Sequence, residues 1–125
     1  MLFALLTLAA LTNCSVTDGD TIRCGSERIP LLGIDAPEPP GHCRKGRHCA
    51  PGDPVRSRAL LKKALRNGPL TITRVGKDRY GRTLATMRAG TVDLSCWQLA
   101  HRAAIYRADW DNGGHIAARC PRLTR

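Results

Sequence analysis

Six cysteines in a chain of 125 residues constrain this protein more than any other feature of its sequence. Their even number and high density favour three disulfides and an oxidising compartment. Two local patterns narrow the pairing: the first two cysteines lie symmetrically about Gly19, and the next two could close a loop rich in glycine and proline. The last pair would attach the tail to a helix. The expected disulfides are Cys14–Cys24, Cys43–Cys49 and Cys96–Cys120.

A zinc site is the alternative for the middle pair. His42 precedes Cys43 and His48 precedes Cys49, and two imidazoles with two thiolates form a tetrahedral zinc ligand set. The spacing does not match a familiar zinc finger or ribbon, so the disulfide is the favoured interpretation.

The first residues resemble a secretory signal. Met1–Ala10 is apolar and has the length of the hydrophobic region of a signal peptide, although no basic residue precedes it. We therefore expect residues 1–13 to be a signal peptide, or alternatively an N-terminal strand, and residues 14–125 to be one domain. Export to the periplasm or the medium agrees with the cysteines.

The charge balance predicts a polyanionic partner. Twenty Lys and Arg against ten Asp and Glu give a formal net charge of +10, and nucleic acid is the first candidate for such a surface. No apolar run reaches the roughly 18 residues of a membrane-spanning helix, so we expect no integral membrane segment. The small size favours a monomer.

The order of local signals predicts a mainly β protein with packed helices. Asp18-Gly19-Asp20 between two β-prone runs predicts a hairpin, and Asp53-Pro54 predicts a helix start. We expect an α+β fold, a five-stranded Greek-key barrel of OB type with two to three helices. Beyond the hairpin, the predicted elements are a strand over 28–34, a helix from 54 to Gly68, strands over 70–75 and 82–87, and a helix over 94–105.

Three acidic clusters lie in predicted turns or at strand ends, and their combination is distinctive. They are Val16-Thr-Asp-Gly-Asp-Thr21, Leu32-Gly-Ile-Asp-Ala-Pro-Glu38 and Asp78-Arg-Tyr-Gly-Arg82. In this order they resemble the thermonuclease (staphylococcal-nuclease-like) family over residues 14–106. The resemblance implies an OB-fold enzyme that cleaves phosphodiester bonds of DNA and RNA with Ca²⁺.

The resemblance also implies a metal site of oxygen ligands. Asp20 and Asp35 would be the carboxylate ligands of Ca²⁺, and Ala36 would offer its backbone carbonyl. Asp18 would support the site from nearby. Hard oxygen donors of this kind suit Ca²⁺ rather than zinc.

The remaining implied roles concern the phosphate. Glu38 would act as general base on the attacking water. Arg82 would bind the phosphate and stabilise its developing charge. Arg79 and Tyr80 would contact the nucleic acid.

One position departs from the family pattern. The family's other catalytic arginine lies five residues before the second calcium aspartate, and here that residue is Pro30. Strand alternation puts Arg28 on the same face, roughly 6.6 Å away along an ideal strand, so Arg28 is a possible substitute. The alternatives to a nuclease are therefore an inactive OB module that binds nucleic acid, and a secreted, disulfide-bonded interaction protein.

Overall fold

The computed structural model describes residues 12–125 and shows a mixed α+β protein. The expectation for residues 1–13 falls almost wholly outside this range. The strands are β1 (Cys14–Asp18), β2 (Thr21–Cys24), β3 (Glu27–Pro30), β4 (Ile34–Asp35), β5 (Leu70–Lys77), β6 (Thr83–Ala89), β7 (Val92–Asp93) and β8 (Ile105–Tyr106). The helices are α1 (Pro54–Ala64), α2 (Leu94–Ala100) and α3 (His115–Arg119).

Strands β1, β2 and β3 form an antiparallel meander. The turn between β1 and β2 falls at the predicted Asp-Gly-Asp sequence, and Cys14 lies directly opposite Cys24 in the register. The third strand is shorter than predicted. It ends at Pro30, and a turn with Gly33 at φ +77° separates it from β4.

The other strands form two further antiparallel sheets, β5-β6-β7 and β4-β8. An isolated parallel bridge joins Leu31 to Ala85, and Leu32 N–H donates to the Ala85 carbonyl at 3.2 Å. These contacts fasten the segment after β3 to the middle of β6. Across residues 12–125 the three sheets do not join into a closed barrel.

Helix α1 begins as predicted. The Asp53 carboxylate accepts hydrogen bonds from the backbone N–H groups of Val55 and Arg56, and Pro54 occupies the first turn. The face that packs inward carries Ser57, Leu61 and Ala64. That spacing of four and three residues is the period of one helix face, and it turns the basic residues of α1 to solvent.

The predicted helix over 94–105 is wrong in its second half. It ends at Ala100, and Arg102 adopts a left-handed backbone with φ +54°. Ile105 and Tyr106 then pair with β4, with Ile105 opposite Asp35. Because this pairing satisfies backbone groups of β4, it overrides the apolar character that had suggested a helix.

All three predicted disulfides are present: Cys14–Cys24, Cys43–Cys49 and Cys96–Cys120. The middle disulfide leaves no thiolate for the zinc alternative. Three disulfides in a chain of this size indicate an oxidising environment. None of the helices in the described part of the chain is long and apolar enough to cross a membrane.

Candidate functional site

One cavity of about 660 Å³ collects residues from all three acidic clusters. It lies between the β1–β2 turn, the end of β3, the loop after β4 and the β5–β6 turn. The residues singled out from the sequence that line it are Asp18, Asp20, Arg28, Pro30, Glu38, Arg79, Tyr80 and Arg82. Asp35 and Ala36 are buried behind this wall.

Asp20 connects the β1–β2 turn to the segment after β4. One carboxylate oxygen accepts the Ala36 N–H at 2.9 Å, and the other accepts the Thr21 hydroxyl at 2.9 Å. Burial raises the pKa of the Asp20 carboxyl, these two hydrogen bonds oppose the rise, and the negative charges of Asp35 and Asp18 add to it. Because Ala36 follows Asp35 in the chain, the hydrogen bond from its N–H brings the two aspartate-bearing segments together.

A buried polar network fixes the turn that carries Asp20. The side-chain amide of Gln98, on α2, donates to the Gly19 carbonyl at 2.7 Å and to the Ser57 carbonyl at 3.0 Å. The Ser57 hydroxyl in turn donates to the Ala103 carbonyl at 2.6 Å. Gln98 and Ser57 are at most 1% exposed, so α1 and α2 hold the turn from behind through contacts that water does not weaken.

Asp35 is a buried carboxylate between two arginines. It is 1% exposed, and its oxygens lie 3.6 Å from Arg47 Nη2 and 3.4 Å from Arg107 Nε. Burial raises the pKa of the Asp35 carboxyl, the two guanidinium groups lower it, and Glu38 adds to the rise. Among the described residues, Asp35 Oδ2 has no hydrogen-bond partner. Oδ2 is the oxygen that faces Arg107 Nε, so its charge is paired there although no hydrogen bond forms.

Glu38 is tied to the disulfide loop. Its carboxylate accepts a hydrogen bond from Arg47 Nη1 at 2.7 Å, and both side chains are partly exposed. Arg47 belongs to the segment closed by Cys43–Cys49. Its guanidinium lies 2.7 Å from Glu38 and 3.6 Å from Asp35, so it is placed between the predicted general base and the predicted metal ligand.

The β5–β6 turn presents four further residues to the cavity, Asp78, Arg79, Tyr80 and Arg82. The Asp78 carboxylate accepts the N–H groups of Tyr80 and Arg82, both at 2.9 Å, and Arg82 Nε at 2.7 Å. Although desolvation acts to raise it, these hydrogen bonds lower the pKa of Asp78. The guanidinium groups of Arg79 and Arg82 lie 5.0 and 5.6 Å from the Tyr80 ring centre. Tyr80 is 70% exposed, so the turn offers a flat ring beside two cations.

Three site residues were missed by sequence reasoning: Arg47, Arg107 and Trp110. Arg47 and Trp110 line the cavity, and both guanidinium groups lie over the Trp110 ring, at 5.6 and 4.7 Å. Backbone hydrogen bonds with Gly33 place Arg107 and Trp110, whereas Arg47 comes from the separate Cys43–Cys49 loop. No local pattern marks them, although the density of arginine near the Cys43–Cys49 loop was a signal that could have been weighed.

The arrangement offers oxygen ligands without assembling a complete metal cage. Within residues 12–125, no group of three or more His, Cys, Asp or Glu side chains is positioned to hold a metal ion. The donors near one another are the carboxylates of Asp20 and Asp35, with the backbone of Ala36 beside them. A cation at this point would share Asp35 with Arg47 and Arg107 and would need water or phosphate oxygens to complete its shell.

The fold and the site define an α+β protein with three disulfides and a cavity lined by carboxylates and arginines. No protein-family model matches the chain. Among curated proteins it is similar to the succinoglycan biosynthesis protein ExoI of Rhizobium meliloti (strain 1021), with 36% identity over 106 residues. The alignment covers 83% of this chain and 55% of the relative. The chain thus spans about half the length of the curated relative it matches.

Proposed function

We propose that this protein is an exported Ca²⁺-dependent nuclease of the thermonuclease type, which hydrolyses phosphodiester bonds of DNA or RNA. One observation carries the proposal. The three sequence clusters that resemble the family are far apart in the chain, yet Asp20, Glu38 and Arg82 line the same cavity. Turn residues chosen only for their local conformation would have no reason to converge.

The donor set fits Ca²⁺. Asp20 and Asp35 would hold it with the Ala36 carbonyl, and Asp18 would add negative charge from nearby. Asp35 Oδ2 supports this assignment, because Arg107 Nε lies 3.4 Å away without forming a hydrogen bond, and a bound cation would complete the compensation of this buried charge. When bound, the ion would neutralise phosphate charge and orient the attacking water.

The side chains around that point would divide the remaining work. Glu38 would accept a proton from the attacking water. Arg82 would donate to the phosphate oxygens, with its orientation set by Asp78. Arg79 and Tyr80 would contact the nucleic acid next to the cleaved bond, by charge and by ring stacking.

For the fold, we propose that β1, β2, β3, β5 and β6 are the five strands of an OB-type barrel. The Leu31–Ala85 bridge supports this, since it connects the end of the first sheet to the second. OB-folds bind oligonucleotides on a strand face and its adjoining loops, and the cavity here lies beside the β1–β2 and β5–β6 turns.

The test is cleavage of a fluorogenic single-stranded DNA with Ca²⁺ and with EDTA. Wild-type protein should cleave only with Ca²⁺, and Glu38→Gln should lose most of that rate. Asp53→Asn is the matched control, because it makes the same carboxylate-to-amide change at a helix cap that does not line the cavity and that asparagine also serves. Absence of Ca²⁺-dependent cleavage above the Glu38→Gln level would refute the proposal.

The relative's name favours a second candidate. ExoI is named for succinoglycan biosynthesis. The second candidate is therefore an interaction module of the same fold that takes part in that process without nuclease chemistry. Binding to purified succinoglycan, with neither cleavage nor binding of DNA, would favour this candidate. Binding of DNA without cleavage, weakening steeply with salt, would instead indicate an inactive nucleic-acid-binding module.

A further inference from the structure

We propose that Arg47, held by the Cys43–Cys49 loop, supplies the second phosphate-binding guanidinium of the site. The inference rests on the proposed nuclease function. It concerns the gap left at Pro30, which lines the cavity and offers neither charge nor a hydrogen-bond donor. A phosphate whose charge rises during hydrolysis is best stabilised by donors fixed in advance on more than one side.

Arg47 reaches the centre of the site. Its Nη1 lies 2.7 Å from Glu38 Oε1 and its Nη2 lies 3.6 Å from Asp35 Oδ1, and the residue lines the cavity. A guanidinium carries five N–H donors. Within residues 12–125 the Arg47 guanidinium makes one hydrogen bond, to Glu38. Most of its donors are therefore free for a phosphate bound beside the general base.

The loop is built to hold this side chain. The Cys43–Cys49 disulfide closes a ring of few residues around position 47. Arg107 Nη2 donates to the His48 carbonyl at 3.1 Å and fixes the ring to the segment after β8. The Trp110 ring lies beneath the Arg47 guanidinium at 5.6 Å. These constraints reduce the entropy that a long exposed side chain loses when it binds a ligand.

Arg28 is the rival, because it lines the same cavity and shares the outward face of β3 with Pro30. Its side chain is exposed, and among the described residues it takes part in no ion pair or hydrogen bond. Nothing orients it toward Glu38 or Asp35. The observations therefore favour Arg47, whose position is determined by contacts on three sides.

The reaction assigns Arg47 a role without proton transfer. The oxygen of the attacking water bonds to phosphorus, its proton passes to Glu38, and the ester P–O bond breaks. The leaving oxygen takes a proton from solvent, giving a phosphomonoester and an alcohol. Arg47 stays protonated throughout and donates hydrogen bonds to the non-bridging oxygens as their negative charge grows.

The experiment compares kcat and KM for Arg47→Ala, Arg47→Lys and Arg44→Ala. Arg44 is the matched control, since it lies in the same disulfide loop and loses the same charge. Arg47→Ala should lower kcat/KM about 10²–10³-fold, mostly through kcat. Arg47→Lys should recover only part of the loss, because lysine lacks the planar fork, and Arg44→Ala should stay within threefold of wild type.

A second comparison tests whether an arginine at position 30 can replace the guanidinium of Arg47. It compares ratios of rates, so it does not depend on the absolute activity. Pro30→Arg should restore most of the rate lost in Arg47→Ala and should add little to wild type. Thermal melts of each variant establish that it is folded. An equal gain from Pro30→Arg in both backgrounds, or a larger loss in Arg28→Ala than in Arg47→Ala, would overturn the inference.

The outcomes also separate the inference from the proposed function. If wild type cleaves and Arg47→Ala cleaves equally well, the inference is wrong and the nuclease stands. If Arg47→Ala is faster than wild type, the inference is again wrong, and Arg47 competes with the cation for Asp35 and Glu38. If wild type does not exceed Glu38→Gln, both fail together.

Discussion

Substitution of Gly19 by alanine is expected to damage both the stability of the fold and the site. A Cβ at position 19 would lie 1.8 Å from Ser57 Oγ, 2.8 Å from Ser57 Cβ and 3.0 Å from Ala36 Cβ. Gly19 is not among the glycines with positive φ, so the cost is steric and not a matter of backbone conformation. Ser57 is 1% exposed and has no room to withdraw.

The magnitude follows from two contributions. Forcing an extra carbon into a packed interior costs about 1–3 kcal/mol. Moving the turn away from α1 also breaks the buried hydrogen bond from Gln98 to the Gly19 carbonyl, which adds about 1–3 kcal/mol for an unsatisfied buried group. We expect Gly19→Ala to lose about 2–6 kcal/mol of unfolding free energy.

Guanidinium chloride unfolding, followed by tryptophan fluorescence and by circular dichroism, measures this loss if both signals coincide. Gly25→Ala is the control, because a Cβ there meets nothing within 4 Å while φ is +60°. It isolates backbone strain, at about 1–2 kcal/mol. For the proposed Ca²⁺ site, Gly25→Ala should leave the affinity unchanged and Gly19→Ala should weaken it. A loss below about 0.5 kcal/mol in Gly19→Ala would refute the steric argument.

Two further predictions concern pH. Glu27 accepts hydrogen bonds from Arg74 and Thr83, which lower its pKa from 4.5. Glu27→Gln should therefore reduce the free energy of unfolding by up to about 1 kcal/mol at pH 7. Denaturant titration should show that the difference between wild type and variant vanishes as pH falls through the lowered pKa of Glu27. The hydrogen bond from Tyr106 to the buried Asp111 raises the pKa of Tyr106 to about 12. Its stabilisation is thus present below pH 10 and lost as pH rises through about 12; phenolate absorbance should show this, and a Tyr106 pKa near 10 in the wild type would contradict it.

The features that could be predicted from the sequence are those that interactions between residues close in the chain determine. The Asp-Gly hairpin, the Asp53-Pro54 helix start and the pairing of Cys14 with Cys24 all follow from short-range signals, and the structure contains each of them. The end of α2 did not follow from local signals. Residues 101–106 are apolar enough for a helix, and only the distant strand β4 determines that Ile105 pairs with Asp35.

The site divides in the same way. Three turn motifs identified Asp20, Glu38 and Arg82, and they line one cavity. The arginines around Asp35 come from a loop and from the segment after β8, and their long side chains reach the site from backbone positions that no periodicity marks. Such contacts depend on tertiary placement, so a single sequence carries no pattern for them.

The distribution of charge distinguishes a hydrolytic site from a surface that only binds a polyanion. Five of the chain's ten acidic residues line this one cavity: Asp18, Asp20, Glu38, Asp78 and Asp109. In a protein of net charge +10, a groove used only to bind phosphates would bind them more tightly if it contained no carboxylates, since each carboxylate repels the ligand. Arginines offset part of this charge, since Arg47 pairs with Glu38 and Arg82 pairs with Asp78. Within residues 12–125, Asp18 and Asp20 form no ion pair, and a cation or a proton-accepting role would offset the repulsion that remains. A catalytic metal with a general base provides both, and this is why we favour the nuclease over the binding module.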